Sequence, residues 1–144
     1  MAEPRTTGLH ILVVEDNDAD VFLLQEAVSL YKLGVEMHVV ENGALAIAYI
    51  ENADNNDAEP CPSLCLLDMN LPLKSDTDVL RRLRASRRMA QVPAIVMTSS
   101  RSQLERDEIM RLGASAFFHK PISYSEFMDI GKLMRSLLPE VSPN

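Results

Sequence analysis

The chain is poor in aromatic and basic residues, and both shortages exclude functions. Aromatic residues make up 5% of the 144 residues, too few for a platform on which nucleic-acid bases could stack. Lys and Arg number 14 against 21 Asp and Glu, giving a net charge of −7. Because this charge repels phosphate backbones, the composition argues against sequence-independent nucleic-acid binding.

Cysteines and long apolar runs are also scarce. A single disulfide between Cys61 and Cys65 could not stabilise a domain of this length. Their C-x-x-x-C spacing, without a nearby His pair, is not a zinc pattern. Cys65 lies in an apolar run, so we expect a buried thiol. No run approaches the roughly 18 apolar residues of a membrane helix, and residues 1–8 hold no apolar signal core. We therefore expect a cytoplasmic protein.

The sequence is rich in short apolar runs that alternate with longer amphipathic segments. The longer segments repeat apolar residues about every 3.6 positions, as in Val21, Leu24, Val28 and Tyr31. Five strands alternating with five helices predict a parallel sheet covered by helices on both faces. The runs expected to form strands are residues 9–14, 35–40, 63–67, 93–97 and 114–119.

Turn and cap signals fit this alternation. Ser102 and Ser123 each precede a Glu by three positions and predict helix starts, and Gly113 predicts a helix end. Residues 52–62 are polar and acidic, which predicts a surface loop. We expect one domain over residues 9–138, tails at 1–8 and 139–144, and no output domain.

Polar side chains follow four of the apolar runs. Glu15 and Asp16 follow the first run, Asp68 the third, Thr98 the fourth and Lys120 the fifth. Ligands of open parallel sheets bind beyond the carboxyl ends of the strands, so these groups should share one edge. Clustered carboxylates favour Mg²⁺, and an ionised Asp beside a cation can attack phosphorus. Lys120 and Thr98 would then hold the oxygens of the transferred group.

Some charged residues have simpler explanations. Asn17 and Asp18 have the residue types of a helix cap, and we favour that role. Lys120 alone could be a surface charge. His10, His38 and His119 lack the spacing of metal ligands, so we expect them to be structural. The basic cluster predicts a solvated helix face, with a docking patch as the alternative; it comprises Arg81, Arg82, Arg84, Arg87 and Arg88.

Four segments resemble the receiver domain of two-component response regulators in order and spacing. They are ILVVED at residues 11–16, LLDMNLP at 66–72, AIVMTS at 94–99 and LGASAFFHKP at 112–121. The stretch EDNDADVFLLQEA and the long loop before the third strand look most like stand-alone receivers that serve bacteriophytochrome histidine kinases. The resemblance implies a flavodoxin-like, doubly wound, five-stranded parallel sheet in the order 2-1-3-4-5 with five helices.

The resemblance also implies roles for individual residues. Asp68 would accept a phosphoryl group from a kinase phosphohistidine, and Lys120 would bind a phosphoryl oxygen. Mg²⁺ would be held by Asp16, Asp68, the backbone carbonyl of Asn70, and Glu15. The protein would be a phosphoacceptor that catalyses its own phosphorylation and dephosphorylation, rather than an enzyme acting on another substrate.

Activation would involve a second group of residues in such a receiver. Thr98 would swing toward the phosphate and Phe117 would turn inward, a pair with two states that a local charge change can bias. A cis peptide before Pro121 would aim Lys120. Asp76 stands where the family usually has Gly, and Phe117 where Tyr is commoner, so we expect a slightly strained loop and an intact site.

Partners would be a sensor histidine kinase and, through the C-terminal helix–strand–helix face, a second copy of the chain. Tyr124, Phe127 and Met128 are the apolar residues we expect to be exposed on that face.

Three other functions are weaker alternatives. A phosphate-independent adaptor with the same fold would not need the charge cluster. A haloacid-dehalogenase-type phosphatase needs a second Asp where Asn70 stands. Flavin binding needs a phosphate loop after the first strand, where residues 15–18 would repel phosphate. We therefore expect a phosphoreceiver.

Overall fold

A computed structural model describes residues 8–69 and 75–139 of the chain. Its five strands form one parallel sheet in the order β2-β1-β3-β4-β5. The strands are β1 (His10–Val14), β2 (Glu36–Val40), β3 (Leu64–Asp68), β4 (Ala94–Thr98) and β5 (Ala116–His119). Each overlaps its predicted run, and the predicted fold class is confirmed.

Helices follow the strands on both faces of the sheet. They are α1 (Asp18–Leu30), α2 (Gly43–Asn55), α3 (Asp76–Arg84), α4 (Gln103–Arg111), α5 (Tyr124–Phe127) and α6 (Ile130–Leu137). The last two divide the predicted fifth helical segment. In the part of the chain that the structure describes, no helix has both the length and the apolar character to cross a bilayer.

The strands β1, β3 and β4 carry the core because helices cover both of their faces. Leu12, Leu67 and Val96 pack on the side of α2, α3 and α4. Their neighbours Ile11, Leu66 and Ile95 point the other way, toward α1 and α6. The alternation of a β-strand therefore splits one continuous apolar run between two cores.

Helix caps position the loops that carry the polar strand ends. The side chain of Asn17 accepts a hydrogen bond from the backbone N–H of Asp20, which confirms the predicted cap of α1. Ser102 and Ser123 cap α4 and α5 in the same way. Gly113 has φ +108° and lies just beyond the end of α4, as predicted.

The expectation of a loop over residues 52–62 is wrong at its start, because α2 continues through Asn55. Asp54 holds this last turn: its carboxylate accepts hydrogen bonds from Ser86 Oγ (2.6 Å), from the Arg88 backbone N–H (3.0 Å) and from Arg82 (3.0 Å). Burial opposes the charge of Asp54, but these hydrogen bonds outweigh it and hold the pKa of Asp54 well below its usual range.

The expected solvated face of arginines is also wrong for three of its members. Arg82 and Arg88 bind the end of α2, and Arg84 donates to the carbonyls of Gly113 and Val92. These guanidinium groups join helices and loops: Arg82 through the Asp54 carboxylate, and Arg84 and Arg88 through backbone carbonyl oxygens that need donors.

Two residues expected on the exposed C-terminal face are buried instead. Phe127 and Met128 are 2% and 3% exposed, and Phe127 packs edge-on against Phe118. Of the three expected residues only Tyr124 is exposed. Its neighbours Phe127 and Met128 point inward because α5 lies against the sheet.

Candidate functional site

The carboxyl ends of the strands bring the predicted polar residues to one edge of the sheet. Asp68 is the last residue of β3 and lies beside Met97 of β4. Glu15 directly follows β1, and its backbone N–H donates to Val40 of β2 (3.0 Å). Lys120 directly follows β5, and its backbone N–H donates to Thr98 (2.7 Å).

Lys120 reaches back across this edge to three carboxylates. Its Nζ lies 2.9 Å from Glu15 Oε1, 2.8 Å from Asp20 Oδ2 and 3.5 Å from Asp68 Oδ2. Burial opposes the charge of Lys120, but its hydrogen bonds to Asp20 and Glu15 and the charge of Asp68 outweigh it and raise the pKa of Lys120. Lys120 is therefore a fixed cation at neutral pH.

Asp20 was not predicted as a member of the site. It lies in the first turn of α1, and it lines the same cleft as Asp16 and Asp68. The sequence could not show that Lys120 would approach from the far end of the chain.

Three carboxylates form a cluster suited to a hard cation. One oxygen from each of Glu15, Asp16 and Asp68 lies within 4.8 Å of the others. Glu15 is 1% exposed and Asp68 6%, whereas Asp16 faces solvent. Mg²⁺ prefers oxygen ligands and keeps several waters, so a partly open set of carboxylates fits it.

The protonation of Glu15 shows how crowded these carboxylates are. Burial and a hydrogen bond with Asp68 raise the pKa of Glu15 to about 8, and Lys120 offsets this only in part. A pKa of about 8 favours the protonated form of Glu15 at neutral pH in the metal-free protein, chiefly because burial disfavours its charged form.

Thr98 and Phe117 lie apart from this cluster. Thr98 is buried, and its Oγ1 accepts a hydrogen bond from the backbone N–H of Ser100 (2.9 Å). It lines a recess beside Ile109 of α4 rather than the cleft of Asp68. Phe117 is half-buried, with the guanidinium of Arg106 5.7 Å from its ring centroid.

At this edge of the sheet one prediction is wrong, and two others concern atoms outside the described part of the chain. The peptide before Pro121 is trans, so the expected cis bond is wrong; X–Pro bonds favour trans, and Lys120 reaches its carboxylates in this form. Asn70 lies outside the described residues, as does the side chain of Asp76. The predicted role of the Asn70 carbonyl thus stays a prediction.

Comparison with known proteins gives this arrangement a context. The family described as response regulator receiver domain matches residues 11–131. The response regulator Rcp1 from Synechocystis sp. is 32% identical over 93 residues, which are 65% of this chain and 63% of that protein. The matched part thus spans less than two thirds of this relative.

Solved structures resemble the chain over nearly its whole length. Phosphorylated RcpA, a cyanobacterial phytochrome response regulator, has a TM-score of 0.80 at 27% identity, covering 94% of this chain and 99% of that one. The Mn²⁺-bound form of Rcp1 has a TM-score of 0.79 at 26% identity, covering 92% and 99%. The bacteriophytochrome response regulator RtBRR has a TM-score of 0.74 at 29% identity, covering 94% and 82%.

Proposed function

The chain belongs to the response regulator receiver domain family, and we propose that its Asp68 accepts a phosphoryl group from the phosphohistidine of a sensor kinase. One observation supports this most strongly. Asp68 ends a buried strand with its carboxylate 3.5 Å from Lys120 Nζ and close to Glu15 and Asp16. An adaptor that never bound phosphate would not need this grouping of charges.

The transfer follows from the chemistry of these groups. A carboxylate oxygen of Asp68 attacks phosphorus, and the P–N bond of the phosphohistidine breaks with its electron pair going to the imidazole nitrogen. The product is an acyl phosphate on Asp68. Lys120 neutralises charge on the phosphoryl oxygens. Hydrolysis of the acyl phosphate by water returns Asp68 to its carboxylate.

Mg²⁺ is the cofactor we propose for this step. Asp16, Asp68, Glu15 and the backbone carbonyl of Asn70 would hold it, and it would supply positive charge beside the transferred group. The Mn²⁺-bound structure of the similar protein Rcp1 supports a divalent cation. Binding of a cation would also displace the proton from Glu15.

Output would pass through Thr98 and Phe117. The hydroxyl oxygen of Thr98 accepts a hydrogen bond from the Ser100 backbone N–H. On phosphorylation the hydroxyl would leave this partner and donate to a phosphoryl oxygen. The half-buried Phe117 would then turn inward beside α4. The resulting change on the α4–β5–α5 face, where Leu104, Ile122 and Tyr124 are exposed, would alter contacts with a target or a second copy of the chain.

The partner kinase we propose is a bacteriophytochrome or a related phytochrome kinase. RcpA and RtBRR are described as phytochrome and bacteriophytochrome response regulators, and each covers 94% of this chain. We also propose that the exchange takes place in the cytoplasm.

Incubation with acetyl phosphate and Mg²⁺ tests the proposal. The intact mass should increase by one phosphoryl group in the wild type, and the increase should be absent in Asp68→Asn and in the presence of EDTA. Binding of Mg²⁺ is measured in parallel. A wild type that binds neither Mg²⁺ nor phosphate would support the adaptor instead.

A further inference from the structure

A second group of metal-ligating side chains lies at the opposite end of the sheet from Asp68. His10 begins β1 and lies beside Glu36, the first residue of β2. His38 follows two positions later on β2, opposite Leu12. Because alternate residues of a strand share a face, all three side chains point to the same side of the β1–β2 pair.

The three side chains converge closely. His10 Nδ1 lies 2.8 Å from His38 Nε2 and 3.4 Å from Glu36 Oε2. The two rings are stacked, with their centroids 5.1 Å apart. One ligand atom from each residue lies within 4.8 Å of the other two. Two imidazoles and a carboxylate thus lie together because β1 pairs with β2, and the spacing of these residues in the sequence does not indicate this.

We propose that His10, Glu36 and His38 form a binding site for Zn²⁺. Two His and one Glu are a ligand set that holds Zn²⁺ in proteins, with water at the fourth position. Ligand atoms at about 2.0–2.1 Å from a tetrahedral ion lie roughly 3.3 Å apart. The His10–Glu36 distance already matches this value, and the two rings need to separate by only about half an ångström.

Access and selectivity agree with this assignment. The side chain of Glu36 is 67% exposed and that of His10 20% exposed, so an ion can enter from solvent and keep a water ligand. Imidazole nitrogens suit Zn²⁺ and not Mg²⁺, which takes oxygen ligands. The two ends of the sheet would therefore bind different cations.

The site would join the edge strand β2 to β1. Strand β2 pairs on one side only, and two of its five residues are exposed. A ligand that binds the folded state alone raises stability, and a roughly 100-fold excess of Zn²⁺ over its Kd should raise the unfolding midpoint by several degrees.

The test uses Asp16→Asn/Asp68→Asn as the parent, so that the carboxylate cluster cannot take up Zn²⁺. Isothermal titration with ZnCl₂ in excess Mg²⁺ should show one bound ion. Adding His10→Gln or His38→Gln should reduce Zn²⁺ affinity at least about 10-fold and remove the Zn²⁺-dependent rise in unfolding midpoint. Circular dichroism establishes that each variant is folded.

His119→Gln is the matched control, because it removes the third histidine and leaves the cluster intact; its affinity should equal that of the parent. A parent that binds no Zn²⁺ would overturn the proposal. So would a parent whose affinity is unchanged by both cluster substitutions, or weakened equally by His119→Gln. These outcomes are independent of phosphorylation at Asp68.

Discussion

The ammonium group of Lys120 lies 3.5 Å from a carboxylate oxygen of Asp68, although strand β4 separates their two strands in the sheet. Adjacent strands are about 4.8 Å apart, so the backbones of β3 and β5 lie roughly 10 Å apart. The side chains of Lys120 and Asp68 cover this distance together, and the longer share falls to the lysine. The length of the lysine side chain therefore lets an ammonium group from the end of β5 reach the carboxylates that follow β1 and end β3.

Replacing Lys120 by Met should slow phosphorylation by acetyl phosphate about 10²- to 10³-fold, the usual effect of removing a group that stabilises developing charge. The rate of mass increase under saturating Mg²⁺ measures this. Lys132→Met is the control, since Lys132 is exposed and pairs only weakly with Asp129 at 4.0 Å. Equal phosphorylation rates in the two variants would show that Lys120 does not take part in the reaction.

The raised pKa of Glu15 predicts a pH dependence of stability in the metal-free protein. The folded chain keeps the Glu15 proton up to about pH 8, whereas the unfolded chain loses it near 4.5. Stability should therefore fall as pH rises through this window. Urea midpoints in EDTA should show this fall in the wild type and a flatter profile in Glu15→Gln. Identical profiles would contradict the shift.

Asp54→Asn should lower the free energy of unfolding by roughly 1–3 kcal/mol, because several donors around Asp54 lose a charged acceptor. Asp57→Asn is the control: Asp57 is exposed and pairs with Arg87, so solvent screens the pair and its loss should change stability much less. Urea denaturation measures both. A larger loss in Asp57→Asn would show that the end of α2 is held differently.

Gly131→Ala should destabilise the contact between α6 and α1. A Cβ at this position would clash with Cδ2 of Tyr31, so the ring or the helix must move. Overpacking of this kind costs about 1–3 kcal/mol. Adding Tyr31→Ala should make the Gly131→Ala change nearly neutral. An equal cost with and without the Tyr31 ring would rule out this clash.

The sequence predicted the strands well because each is a short apolar run, and four of these runs are followed by polar residues at one edge of the sheet. Asp68 and Thr98 are the last residues of their strands for this reason. The sequence also predicted that Glu15, Asp16 and Lys120 would lie at this edge, since the topology of a parallel sheet brings its strand ends together.

What the sequence could not predict depends on side-chain direction and on pairing between distant elements. Asp20 joins Lys120 through the orientation of α1, and Arg84 and Arg88 bind backbone carbonyls that no local pattern identifies. His10 and His38 lack a metal-like spacing, yet the register of β1 and β2 brings them together. Register is set by the whole sheet, so it cannot be read from either strand alone.

The most direct test of the central claim is to locate the acyl phosphate. After incubation with acetyl phosphate and Mg²⁺, borohydride reduction converts a phosphorylated Asp into homoserine, and peptide mass spectrometry finds its position. We predict conversion at Asp68 alone, abolished by EDTA. Conversion at another carboxylate, or none in a protein that binds Mg²⁺, would contradict the assignment of Asp68 as the phosphoacceptor.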